Sequence, residues 1–62
     1  MAIKEGWGRE YGGPVKTQEG RSLAVRRRGL RVRFYDGETQ VGPEQPTVAA
    51  ALVYAFNQGW SL

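Results

Sequence analysis

The sequence contains no cysteine and no histidine. Disulfide staples are therefore excluded, and so is a zinc site of the usual Cys/His kind. Thiol nucleophiles and imidazole bases, the commonest catalytic groups, are missing too. No acid occurs between Gly20 and Tyr35, and no charged side chain between Gln45 and Leu62. No apolar run is long enough to cross a membrane, and the amino end, MAIKEGWGRE, lacks the apolar core of a secretory signal. The acids Glu5, Glu10, Glu19, Asp36, Glu38 and Glu44 are scattered. GWGREYGG is glycine-rich but has neither the spacing nor the strand-loop-helix context of a phosphate loop. The expectation is a non-enzymatic cytoplasmic protein with no cofactor, no metal, no membrane contact and no small-molecule substrate.

What is present is 62 residues with a net charge of +3. That length holds one domain. A chain of this size buries only about 60% of its unfolded surface, so reinforcement by oligomerisation is expected once disulfides and metals are gone. The first 20 residues include Gly6, Gly8, Gly12, Gly13 and Gly20, more than half of the nine glycines. Glycine loses the most entropy on ordering, which predicts an N-terminal arm over 1–20 and a single β-β-β-α domain over 21–62. Trp7 and Tyr11 are the arm's apolar payload and could fold back over an exposed apolar face.

From Ser22 onward the chain alternates strictly. SLAVRR places Leu23 and Val25 on one side, LRVRFY places Leu30, Val32 and Phe34, and ETQV places Thr39 and Val41. Period-two alternation predicts strands with one buried face, at about 22–27, 30–35 and 38–42. Asp36-Gly37 is a two-residue hairpin signal, and Arg28-Gly29 a weaker one. These turns would set Val25 opposite Val32, Arg26 opposite Arg31 and Val32 opposite Val41. GPEQPT then reads as a breaker, and VAAALVYAFNQG as a helix over about 47–58. Thr47 or Gln45 would cap it, with Pro46 in its first turn and Gly59 as its left-handed end. Val48, Leu52 and Phe56 form a stripe expected to pack on the sheet. The fold class is thus α+β: a three-stranded antiparallel meander packed by one C-terminal helix.

The other face of such a sheet carries Arg26, Arg31, Arg33, Tyr35 and Gln40, with Arg27 and Arg28 completing the basic stretch. Like charges directly opposite one another destabilise a sheet. A sequence that accepts this cost implies an anionic partner. Arginine binds phosphate and guanine in a bidentate manner that lysine cannot match, and a sheet can lie in the major groove of DNA. The seven residues Arg26, Arg27, Arg28, Arg31, Arg33, Tyr35 and Gln40 are the candidate nucleic-acid interface, with Tyr35 and Gln40 adding stacking or base-edge contacts. Duplex DNA is the expected partner, and RNA is open because phosphate contacts do not separate the two.

The segments AVRRRGLRVRFYDG and TVAAALVYAFNQG carry a resemblance. A three-stranded sheet followed by one alanine-rich helix, with arginines on the open face, resembles the plant ethylene-response-factor DNA-binding domain. It is also similar to the arm-binding amino-terminal domains of tyrosine-recombinase integrases. The resemblance covers about residues 22–59 and is one of topology. It implies major-groove contact by Arg26, Arg31 and Arg33, with Arg28 at a turn, and it implies the setting of a phage or mobile-element accessory factor. The plant family has tryptophans in its sheet and this sequence has none there. Integrases also carry a catalytic domain for which this chain has no room.

The second functional class is a protein-interaction module: an inhibitor, adaptor or assembly subunit. An uncharged helix that is apolar all round is normally buried on both sides. Ala49, Val53, Tyr54 and Trp60 lie off the expected core stripe and are the candidate homodimer surface.

Overall fold

A computed structural model describes residues 12–61. Trp7 and Tyr11 lie outside them. The fold is α+β, an antiparallel sheet closed by one helix. The strands are β1 (Val15–Lys16), β2 (Ser22–Arg28), β3 (Arg31–Asp36) and β4 (Thr39–Gln45), followed by α1 (Val48–Asn57). The sheet runs β1-β2-β3-β4 in chain order.

Four strands replace the expected three, because part of the supposed arm belongs to the sheet. Val15 pairs with Leu23 and Lys16 with Ser22. Val15 is 1% exposed, so its apolar area outweighs the entropy of ordering its glycine-rich surroundings. The turn between β1 and β2 closes on Gly20, whose N–H donates to the Thr17 carbonyl at 3.0 Å. On the outer side of β1, Lys16 and Ser61 exchange two backbone bonds of 2.8 Å. A boundary at 20/21 would therefore cut through one folded unit.

Both hairpins turn one residue later than the sequence pattern suggests, at Gly29-Leu30 and Gly37-Glu38. Glycine takes the first central position of each turn, with φ of 61° and 65°. The favoured hairpin turns all require a positive φ at that position. Each cross-strand pair consequently moves by two residues, which leaves the faces unchanged. Val25 faces Phe34, and Arg26 faces Arg33. Leu30, expected in the core, becomes a turn residue and is 73% exposed.

Gly42 and Pro43 do not stop β4. Phe34 pairs with Val41 and Val32 with Gln45, so the strand passes a bulge between them. Gly42 adopts φ 74° there, and a Cβ on it would lie 2.6 Å from the Tyr54 hydroxyl. Pro43 is tolerated because β4 is an edge strand.

Thr47 is the N-cap of α1, its Oγ1 accepting from the Ala50 N–H at 3.1 Å. Pro46 precedes the cap instead of entering the first turn. The far end is a Schellman motif: Trp60 N–H donates to the Ala55 carbonyl and Gly59 N–H to that of Phe56, both at 3.0 Å. The helix is rotated from the expected stripe. Ala51 and Ala55 face the sheet at 3% and 2% exposure, while Leu52 and Phe56 point outward. Small alanines let the backbone approach the sheet closely, and aromatic rings fill the flank. Phe34 meets Trp60 edge-on at 5.1 Å and Tyr54 at 6.3 Å. The core is Val15, Leu23, Val25, Val32, Phe34, Ala51 and Ala55. No helix among the described residues is long and apolar enough to cross a membrane.

If β1 is structural, Val15→Ala should cost about 2 kcal/mol of stability by chemical denaturation, in the range of buried large-to-small changes. A variant as stable as the parent would return Val15 to a dispensable arm.

Candidate nucleic-acid interface

Strand alternation places Lys16, Ala24, Arg26, Arg28, Arg31, Arg33, Tyr35 and Gln40 on the sheet face opposite α1. Arg28 stands directly across from Arg31, and Arg26 across from Arg33. Two pairs of like charges therefore face each other on adjacent strands. Arg28, Gly29, Arg31 and Arg33 line a polar depression together with Glu44.

Glu44 is the residue that the sequence pattern missed. Its segment reads as a breaker, but the bulge at Gly42 carries β4 on beside β3. The Glu44 carboxylate then reaches both neighbouring arginines. Oε2 accepts from Arg31 Nη1 at 2.6 Å, and Oε1 from Arg33 Nε at 2.9 Å. Arg33 also donates from Nη1 to the Tyr35 hydroxyl at 3.2 Å. The hydrogen bond from Arg31, followed by that from Arg33, holds the Glu44 carboxyl below its ordinary range. The Tyr35 hydroxyl, followed by Glu44, raises the Arg33 guanidinium further. The Arg31 side chain stays 66% exposed, so one cation of this trio remains open to a ligand from solvent.

The expected site residues divide. Arg26, Arg28, Arg31 and Arg33 share the open face, and Gln40 joins them from β4. Gln40 is exposed, with its Nε2 donating to the Gly42 carbonyl at 3.2 Å. Arg27 alternates onto the other side with Leu23 and Val25, and its Nε donates to the Gly29 carbonyl at 3.1 Å. Tyr35 is on the open face but only 6% exposed. Its ring is packed among its neighbours, which leaves no free face for a base to stack on. Lys16 joins the face from a segment read as an arm. Its signal was the apolar-polar pair Val15-Lys16 ahead of a turn. Asp36 is the last residue of β3 instead of a turn residue, and its Oδ2 accepts from Arg21 Nε at 2.6 Å.

The candidate dimer residues divide as well. Ala49 and Val53 are exposed on α1. Tyr54 and Trp60 turn inward, their rings 5.7 Å apart and both against Phe34. The Schellman turn carries Trp60 back over the helix end, so these two side chains complete their own core.

No protein-family model, curated protein or solved structure matches the chain.

The Glu44 contacts predict a pH dependence. Its folded pKa is depressed, so its contribution to stability is present above the unfolded value near 4.5 and is lost as pH falls through the lower folded value. The carboxyl should titrate below 4.5 by NMR, and Arg31→Ala should move that midpoint upward. A native midpoint at or above 4.5 would dissolve the trio.

Proposed function

We propose that this chain binds duplex DNA through the arginine-bearing face of its sheet. The observation that supports this most is the pairing of Arg28 with Arg31 and Arg26 with Arg33 across β2 and β3. Such pairing costs stability, and Glu44 meets Arg31 and Arg33, one arginine of each pair. A polyanion with regularly spaced phosphates offsets several of these charges at once and releases its counterions in doing so. The arginines sit on the β2–β3 hairpin within the four-stranded sheet, and the major groove of DNA, about 12 Å wide, admits a β-ribbon. The deep, narrow major groove of duplex RNA does not, so DNA is the favoured duplex.

Glu44 occupies the position that a phosphate would take between Arg31 and Arg33. Binding therefore exchanges one carboxylate contact for a phosphate contact, and the carboxylate lowers affinity for weak anionic competitors. A protein-interaction module is the second reading, favoured by the exposed apolar residues of α1.

Titration of duplex DNA against salt tests the proposal. Four phosphate contacts give a slope of log K against log salt of about −4. Arg28→Ala and Arg31→Ala should each reduce its magnitude by about one, uniformly across sequences. Both side chains point away from the core and face a like charge, so thermal midpoints should not fall. Glu44→Gln should tighten binding severalfold by removing a negative charge from beside Arg31 and Arg33. A Glu44→Gln protein that binds no better, together with an unchanged slope in the arginine variants, would remove DNA from this face.

A further inference from the structure

The outer side of α1 is unexplained by the sheet face. Ala49, Leu52, Val53 and Phe56 recur at the i, i+3, i+4, i+7 spacing of one helix stripe. Ala51 and Ala55 fix the inward direction of the helix, so Ala49, Val53 and Phe56 point away from the sheet, and Leu52 sits at the rim, where it also lines an apolar pocket with Val25, Val32 and Phe34. Leu52 is 47% exposed, Val53 59% and Phe56 79%.

We propose that this stripe joins two copies of the chain in a two-fold antiparallel helix pair. The dimer holds its arginine faces back to back.

Two features of the stripe select a second copy as its occupant, and a third sets the strength of the contact. First, charge: no charged side chain occurs from Gln45 to Leu62. Two identical surfaces therefore meet without like-charge repulsion, and a charged partner would find nothing to pair with. Second, size: a two-fold axis between Leu52 and Val53 sets Leu52 against Val53 of the second copy. The same axis sets Phe56 against Ala49. The most exposed ring of the stripe lands on its smallest residue, and both contacts repeat by symmetry, as an isologous interface requires. Ala49 also lets the two backbones come close enough for such packing. Third, area: α1 is about 15 Å long at 1.5 Å per residue, and Phe56 offers about 150 Å² of ring surface. The stripe reaches only a few hundred Å² per copy, against about 800 Å² for a standard interface. The dimer is therefore expected to be weak.

The layer order fixes the consequence. α1 covers one face of the sheet and the arginines occupy the other. Pairing through the outer side of α1 turns the two arginine faces away from each other. They cannot sit side by side on one straight duplex. They can instead hold two duplexes, a consequence that rests on the DNA reading above.

The test uses the full chain. Sedimentation velocity from about 10 µM to about 1 mM should show the parent passing from monomer to dimer. Phe56→Glu should stay monomeric throughout with an unchanged circular-dichroism spectrum. Mixing Ala49→Cys with Phe56→Cys chains under mild oxidation should yield a cross-linked heterodimer. A parent that stays monomeric at the highest concentration overturns the proposal. So does a Phe56→Glu protein that still dimerises. If Trp7→Ala alone releases dimerisation, the amino-terminal segment covers the stripe and the proposal fails. For bridging, duplex immobilised on beads should capture a second, fluorescent duplex through the parent but not through Phe56→Glu, which retains single-duplex binding. A dimer that binds no duplex at all sinks the DNA reading and leaves the dimer standing.

Discussion

The contact on which the remaining structure depends is Phe34 against Tyr54 and Trp60. Phe34 sits on the central strand β3 and is 2% exposed. Tyr54 comes from α1, and Trp60 from the turn beyond it. Each ring pair adds about 0.5–1.5 kcal/mol over its buried area, a large share in a domain with so little core. Because α1 presents alanine to the sheet, the rings rather than a leucine stripe supply the apolar volume. The position of Tyr54 in turn demands a residue without Cβ beneath it, and Gly42 meets that demand. The positive φ of Gly42 belongs to the bulge that carries β4 past the helix. The bulge sets Glu44 beside Arg31 and Arg33. Core packing thus decides which acid reaches the basic face.

Much of this fold was legible in the sequence, and the failures have specific physical causes. Alternation from Leu23 to Val41 gave the two faces correctly, because a period of two survives an error in the turn. The turns themselves were misplaced because Asp36-Gly37 reads as a pair, while the backbone needs its glycine first. The helix was visible, with Thr47 or Gln45 at its start and Gly59 at its end, but its orientation was not. A rule that sends large apolar residues inward chose Leu52 and Phe56. The actual solution sends alanines inward and takes its volume from rings that lie elsewhere in the chain. Val15-Lys16 was lost for want of length, since a two-residue strand has no periodicity of its own. Of the basic face, Arg26, Arg28, Arg31, Arg33 and Gln40 were readable by parity alone. Arg27 fails that same parity. Tyr35 passes it, but burial on an open face depends on long neighbouring side chains that parity does not count.

Glu44 changes how the arginine face should be understood. A sheet face of unrelieved positive charge would resist folding, and one fully paired with acids would not attract an anion. Here one carboxylate serves two guanidinium groups. The trio is exposed enough that solvent screening keeps its net worth small. Its effect is more geometric than energetic. The carboxylate bridges Arg31 and Arg33 and so restricts the rotamers of both guanidinium groups.

The segregation of charge along the chain carries the same logic to the scale of the whole fold. Every arginine of the sheet lies before residue 34, and every residue of α1 is uncharged. A 62-residue domain has too little interior to hide either property, so each becomes a surface. The sheet separates the two, polar on one side and apolar on the other, with the core as the layer between them. Among the described residues, the outer stripe of α1 leaves a leucine, a valine and a phenylalanine exposed. Packing it against a second copy adds the apolar burial that a chain without cysteine or a Cys/His metal site cannot gain by other staples. It does so without drawing on the basic face, because the sheet stands between the two surfaces. If the stripe associates as proposed, charge on one side and association on the other are independent, and a single substitution removes either while leaving the other in place.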